Sequence, residues 1–261
     1  MNHHICVIIP AINFNDDFER CISSILSQIM LPQEIVIAID RRVDESENDY
    51  VDKCNKFRNY FLYLNVSSSL NIKLTSTSRN LGPGGARRLA QKNCSDHITS
   101  FAFLDSDDYW AESHLSSFVQ WYERNKIEGK FIYFDMYNSV VMPFRRLSER
   151  KMLFSPRLHT PSAIISRSDI LFNSGEYAED FTYWSVLIDN GFQGYCVNEE
   201  GSFGRDNRFG RGQSQNLVKM ALSSSKFIIR FYFKKYPFCS LCSILITLLK
   251  FPVRMLKKAL N

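Results

Sequence analysis

After Asp206 the chain contains no acidic residue. Its last 45 residues carry nine lysines and arginines. The net charge of +5 therefore belongs to the tail, and the first 216 residues are net negative. The overall charge says little about what the main body binds. The tail is also too apolar to act as a phosphate-binding arm, which excludes nucleic acid as the expected partner. No apolar run reaches the ~20 residues that span a bilayer. The longest, Phe238 to Leu249, has about twelve. The N-terminus lacks a basic segment followed by an apolar one, so no secretory leader is expected and a reducing, cytosolic location is the default. Seven cysteines are an odd number and imply no disulfide framework. Cys239 and Cys242 form a lone pair in an apolar run, which suits packing or lipid contact better than metal. No glycine-rich loop ends in Gly-Lys-Ser/Thr, so there is no Walker phosphate loop. Internal repeats and low-complexity segments are absent.

With 261 residues and 45% hydrophobic content, the chain can bury a large core. Ile5 to Pro10 and Glu34 to Asp40 are continuous apolar runs with β-branched residues, the pattern of central parallel strands. Between them Phe18, Ile22, Ile25, Leu26 and Ile29 recur at helical spacing, up to Pro32. A polar helix is expected from about Asp44 to Phe57, and a weaker strand at Asn71 to Thr75. This opening predicts an α/β fold with a doubly wound, mostly parallel sheet. Later elements are a helix marked by Leu115, Phe118, Val119 and Tyr122, and a strand at Lys130 to Phe134. Residues 138–158 read as irregular. A short strand at Ser162 to Ser166, a helix opening at Glu179, and a strand at Gly194 to Val197 follow. The boundary is placed between a domain of residues 1–216 and a basic, amphipathic helical tail of residues 217–261.

Three stretches carry chemistry. Phe101 to Leu104 is an apolar strand that ends in Asp105, Asp107 and Asp108. Carboxylates this close raise one another's pKa values, and a divalent cation such as Mn²⁺ or Mg²⁺ relieves that cost. The same residues also suit a solvated turn that caps the next helix. Arg79 to Ala90 holds Gly82, Gly84 and Gly85 before a helix, with Arg79, Arg87 and Arg88 beside them. This suits an anion at a helix N-terminus, or a glycine-rich turn with surface arginines. Glu179 and Asp180 open a helix, where acids also complement the helix dipole.

In this order the motifs resemble family 2 glycosyltransferases. Val7 to Asn13 is similar to the family's opening strand, Ser23 to Gln28 to its first helix, and Glu34 to Asp40 to its second strand. Arg79-Asn80-Leu81-Gly82 with Ala86-Arg87 looks like its Asn-Gly-Ala-Arg segment. Leu104 to Asp108 looks like its Asp-x-Asp motif, and Glu179-Asp180 like its Glu-Asp motif. The likeness covers roughly residues 5–200. It implies a GT-A fold, a nucleotide-diphosphate sugar donor, a divalent metal and inversion at the anomeric carbon. It further implies that Pro10, Ala11, Asn13 and Asp40 hold the nucleoside, and that Arg79, Gly82 and Arg87 lie near the diphosphate. Asp105 would face the ribose, Asp107 or Asp108 would bind the metal, and Asp180 would be the general base with Glu179 secondary. Two features depart from the family pattern. Asp40 is followed by Arg41 and Arg42 instead of a second acid and Gly-Ser. The late loop from Arg205 to Arg211 lacks the family's His, which leaves Arg205 or Arg208 to neutralise charge.

The expected function is an inverting, metal-dependent transferase that builds a surface polysaccharide from a nucleotide sugar, probing first for UDP-sugars, onto a glycan or lipid-linked acceptor. The expected location is peripheral, on the inner face of the cytoplasmic membrane. The tail's interleaved apolar and basic residues suit a helix lying on an anionic membrane surface, against the alternative of a helix packed on the domain. A truncation after residue 224 is expected to stay soluble and bind donor. Competing readings are a nucleotidyltransferase, which would want a Gly- and Lys-containing loop in place of Pro10 to Asn13, and a non-catalytic glycan-binding relative, which would have lost its acids.

Overall fold

A computed structural model describes residues 3–64, 70–141, 145–154, 158–174, 177–204 and 216–259, with backbone alone from 253 on. The first half is β1 (Ile5–Ala11), α1 (Asp16–Leu26), β2 (Glu34–Ile39), α2 (Glu47–Tyr63), β3 (Asn71–Ser76), α3 (Gly82–Asn93) and β4 (Ser100–Phe103). These strands run parallel in the order β3-β2-β1-β4. Every residue of β1 and β2 is buried, because helices cover both faces of the sheet. Even-numbered residues of β1 pack with α3, and odd-numbered ones with α1 and α2. Asn15 caps α1 by accepting from the Phe18 N–H, and Ser46 caps α2 by accepting from Asp49. α1 stops at Leu26, and Ile29 lies outside it and exposed.

The second half is β5 (Tyr109–Trp110), α4 (His114–Arg124), β6 (Phe131–Tyr137), β7 (Arg146–Leu147), α5 (Glu149–Leu153), β8 (Ala163–Ser166), α6 (Glu179–Asp189) and β9 (Gln193–Phe203). The sheet continues β4-β8-β6-β9-β5, with β7 also on β9. The long ladder here, β6 with β9, is parallel, and the antiparallel ladders of β8, β5 and β7 are two or three residues each. The sheet is therefore mixed, with its long ladders parallel. The segment expected to be irregular contains β7 and α5, and β9 extends well past Val197.

The tail is α7 (Leu217–Phe227), one wider turn at Ile228–Tyr232, and α8 (Pro237–Ala259). It is not a detached appendage. Ile228 and Tyr232 are buried in the same core as Trp184 and Leu187, and Lys235 pairs with Glu149 and Asp189. A cut after residue 224 would remove two core side chains, which argues against the expectation that the truncated chain stays soluble and binds donor. Among the described residues no helix is long and apolar enough to cross a membrane.

β1 sits where the sheet changes direction, since β2 lies on one side of it and the later β4 on the other. Ligands of open α/β sheets bind outside the carboxyl ends of the strands at such a point. The β1–β4 ladder ends with Ile8 opposite Phe103, and the Leu104 N–H donates to the Ile8 carbonyl. Pro10 stands at the next rung, where its missing N–H leaves the crevice unbridged.

Candidate active site

Around that crevice stand the loop after β1, the end of β2, the turn before α3 and the acidic turn after β4. Buried Asp40 joins three of them. Its N–H donates to the Ala11 carbonyl at 2.7 Å, and its Oδ1 accepts from the N–H groups of Arg41 and Leu81, both at 2.9 Å. Burial pushes the Asp40 carboxyl up, and these N–H groups oppose the shift. Asn80 donates to the Arg41 carbonyl, and Gly82 has the positive φ of +67° that ends this turn. Lys53 lies beneath, with Nζ 2.7 Å from Glu45 Oε2, 2.8 Å from the Asp40 carbonyl and 3.1 Å from the Ile12 carbonyl. Asn13 and Arg79 are exposed at the rim, while Pro10 and Ala11 are buried in β1.

Arg87 is at the centre. It is 4% exposed, with Nη2 2.5 Å from Asp105 Oδ1 and Nη1 3.3 Å from Glu179 Oε1, and its guanidinium lies 5.2 Å from the Phe172 ring centre. Arg87, expected near a diphosphate, has its charge engaged by two carboxylates. It links the acidic turn to the start of α6. Close packing makes this possible: a Cβ on Gly84 would sit 2.7 Å from Glu179 Cγ and 2.4 Å from the Asn173 carbonyl. Glu179 is buried, and its pKa is pushed up to about 7, chiefly by burial, with Arg87 opposing and Asp180 adding to the rise. Asp180 is half-buried, and its Oδ1 accepts from the Phe181 N–H at 2.7 Å. Burial raises its pKa, and that hydrogen bond and Arg87 oppose the rise.

The three acids of the turn diverge. Asp105 points to Arg87, and Asp108 accepts from the Tyr137 hydroxyl at 3.0 Å. Asp107 is exposed, and its carbonyl accepts from Arg20. They do not bring three ligand atoms within 4.8 Å of one another; among the described residues only buried Cys6, Glu34 and Cys94 do, at the opposite ends of the strands. The donor set of hard oxygens still fits a small divalent ion held by one or two carboxylates and completed by phosphate oxygens. Gly204 closes this corner, since a Cβ there would lie 2.0 Å from Asp108 Oδ1. Arg205 and Arg208, with the rest of the late loop, lie outside the described residues.

Sequence reasoning missed a second buried pair. His114 Nδ1 is 2.5 Å from Asp135 Oδ2, both are fully enclosed, and the Trp110 ring stacks on His114 at 4.3 Å. Ser202 donates to Asp135, and a Cβ on Gly201 would fall 1.6 Å from its Oδ2. The pair ties the acidic turn's exit to β9. A lone acid inside the apolar Phe131–Tyr137 run was the available signal.

Residues 6–176 match the sequence model of the family described as Glycosyl transferase family 2. The chain belongs to that family. Glu179 and Asp180 lie just past the matched segment of this glycosyltransferase. Two curated relatives from Escherichia coli are UDP-Glc:alpha-D-GlcNAc-diphosphoundecaprenol beta-1,3-glucosyltransferases. WfgD is 28% identical over 71% of this chain and 70% of its own length, and WfaP is 25% identical over 74% of each. Solved structures share the GT-A fold of the glycosyltransferase. S. aureus TarS 1–349 in complex with UDP-GlcNAc aligns with a TM-score of 0.60 at 17% identity, over 90% of this chain and 73% of that one. The mannosyltransferase PcManGT from Pyrobaculum calidifontis, in complex with GDP-Man and Mn²⁺, aligns with a TM-score of 0.64 at 15% identity, over 98% and 73%.

Proposed function

We propose that this glycosyltransferase moves a sugar from a UDP-sugar to a lipid-diphosphate-linked glycan, with inversion, in the assembly of a surface polysaccharide. The observation that carries the reading is the Asp105–Arg87–Glu179 chain of contacts. It couples the acidic turn at the sheet's switch point to the acid pair that opens α6. The two E. coli relatives act on GlcNAc-diphosphoundecaprenol, which supports the donor and acceptor classes.

In this reading the nucleoside lies over Pro10 to Asn13 and Asp40, and Arg79 and Gly82 border the diphosphate. Asp105, fixed by Arg87, faces the ribose. Asp107 and Asp108 would hold Mn²⁺ or Mg²⁺, which when bound neutralises charge on the leaving diphosphate. Asp180 takes the proton of the acceptor hydroxyl. It is the more exposed acid of the pair, and burial raises its pKa, which makes it a stronger base. Glu179 is bound to Arg87 and positions it. A lipid-linked acceptor places the enzyme on the inner face of the cytoplasmic membrane.

The test is transfer from UDP-, GDP- and dTDP-sugars to a polyprenyl-diphosphate-linked GlcNAc with Mn²⁺, with the anomeric configuration of the product read by NMR. A β-linked product from an α-linked UDP-sugar is expected. Retained configuration, or no transfer from any UDP-sugar, would overturn the reading.

A further inference from the structure

The tail anchors to the core through Ile228 and Tyr232 but turns most of its large apolar residues outward. On α8 the buried residues are small and polar, Ser240 and Ser243, with Thr247 half-buried, and only Cys239 and Ile244 of its apolar residues are half-buried against the core among the described side chains. The large apolar residues Phe238, Leu241, Leu245, Leu248 and Leu249 are each more than half exposed and share one helical stripe. α7 and the turn after it show a second stripe, with Val218, Leu222, Ile229 and Phe233 exposed. Ten of the nineteen exposed large apolar side chains of the described chain fall between Val218 and Leu249. A folded, water-facing surface does not gather apolar residues in this way without a partner.

The charges around these stripes favour one partner. Lys219, Lys226, Arg230, Lys234 and Lys250 are exposed, and no acid among the described residues pairs with them. Lys235, by contrast, turns to the domain and meets Glu149 and Asp189. The outer face thus offers apolar and basic groups and no acid. A second copy packed face to face would set like charges against one another, since a two-fold contact pairs a patch with itself. An anionic lipid surface satisfies both components at once.

We infer that the outer faces of α7 and α8 together form a membrane-docking surface for anionic lipid, joined to the acceptor side of the active site. This rests on the proposed lipid-linked acceptor for its purpose, though not for its evidence. The junction is direct. Phe227 of α7 contacts Phe181, the neighbour of Asp180, at 5.6 Å between ring centres, and Lys219 Nζ lies 5.6 Å from the Tyr177 ring centre, just before α6. Docking on this face brings the start of α6 to the bilayer, where the diphosphate of a lipid-linked acceptor lies.

The experiment is flotation of the full chain with vesicles of phosphatidylglycerol or of phosphatidylcholine. Paired variants are L222E with I229E, and L245E with L248E, and a charge-reversal pair is K226E with R230E. Wild type is expected to bind anionic vesicles at least tenfold tighter than neutral ones, and high salt to weaken this only in part. Each apolar pair should lose tenfold or more, while the charge-reversal pair should lose the preference for anionic lipid. Melting temperatures and transfer to a short-chain, water-soluble acceptor should stay as wild type. Wild type that remains soluble beside anionic vesicles, variants that bind as wild type, or a dimer dissolved by the apolar variants would each overturn the inference. Vesicle binding as expected, with no transfer to any acceptor, would keep the docking surface and remove the proposed reaction instead.

Discussion

Arg87 Nη2 lies 2.5 Å from Asp105 Oδ1 while its Nη1 reaches Glu179, so one buried guanidinium holds two acids that stand 74 positions apart in the chain. Removing it leaves both carboxylates without their cation. Arg87→Met is expected to cost roughly 3–5 kcal/mol, the range for breaking a buried ion pair from one side. Urea unfolding at pH 7 and pH 5 checks this. The loss should be smaller at pH 5, where the abandoned Glu179 can take up a proton.

Glu179 sets a slope of stability against pH. Its folded pKa, raised to about 7, lies above the ordinary value of 4.5, so between these values the folded chain binds more protons than the unfolded one. Its favourable contribution is complete below pH 4.5 and is lost as pH rises through 7. The span amounts to roughly 3 kcal/mol. Glu179→Gln should flatten this part of the profile, so the variant gains on wild type as pH rises from 5 to 8. Denaturation midpoints across that range would decide it, and parallel curves would remove Glu179 as the source.

Asp180→Asn keeps the side chain's shape and removes its basicity. Transfer should fall by ~10²–10⁴-fold while donor affinity stays near wild type. Calorimetric titration with donor, beside initial rates, separates these. Unchanged rates would move the base elsewhere, and lost donor affinity would place Asp180 in binding.

Asp107→Ala and Asp108→Ala should each weaken nucleotide binding in Mn²⁺ and leave the weaker binding in chelator unchanged. Calorimetry with and without the metal gives the answer. Equal binding in all four conditions would take the ion away from these acids.

Tyr232→Ala should destabilise the protein by about 3 kcal/mol, because the ring is fully buried in the main core. Truncation after residue 224 should be worse. Leu245→Ala, on the exposed stripe, should leave the unfolding midpoint in water unchanged.

The sequence made some elements plain and hid others for physical reasons. β1 and β2 were legible because both faces are buried, which leaves unbroken apolar runs. The turn from Asp105 to Asp108 was legible because acids end an apolar run there, and the start of α6 because an acid pair precedes Phe181, Trp184, Leu187 and Ile188 at helical spacing. The carboxylate partners of Arg87 were not legible, since its position in the chain does not say that Gly84 lets α6 come close enough to meet its charge. Lys53 was readable but passed over: with Tyr50, Cys54 and Phe57 it completes the buried stripe of a helix that looks polar overall. β5 and β7 span two residues each and show no periodicity. The outer half of β9, from Asn198 to Gly201, is polar and hides the strand's length.

Pro10 has one more consequence. In a parallel ladder the residue two past Ile8 would donate its N–H to the Leu104 carbonyl. Any other amino acid at this position would carry the N–H that such a bond needs. The imino ring withholds a single hydrogen atom. The β1–β4 ladder accordingly ends at Ile8 and Phe103, one rung short of Pro10.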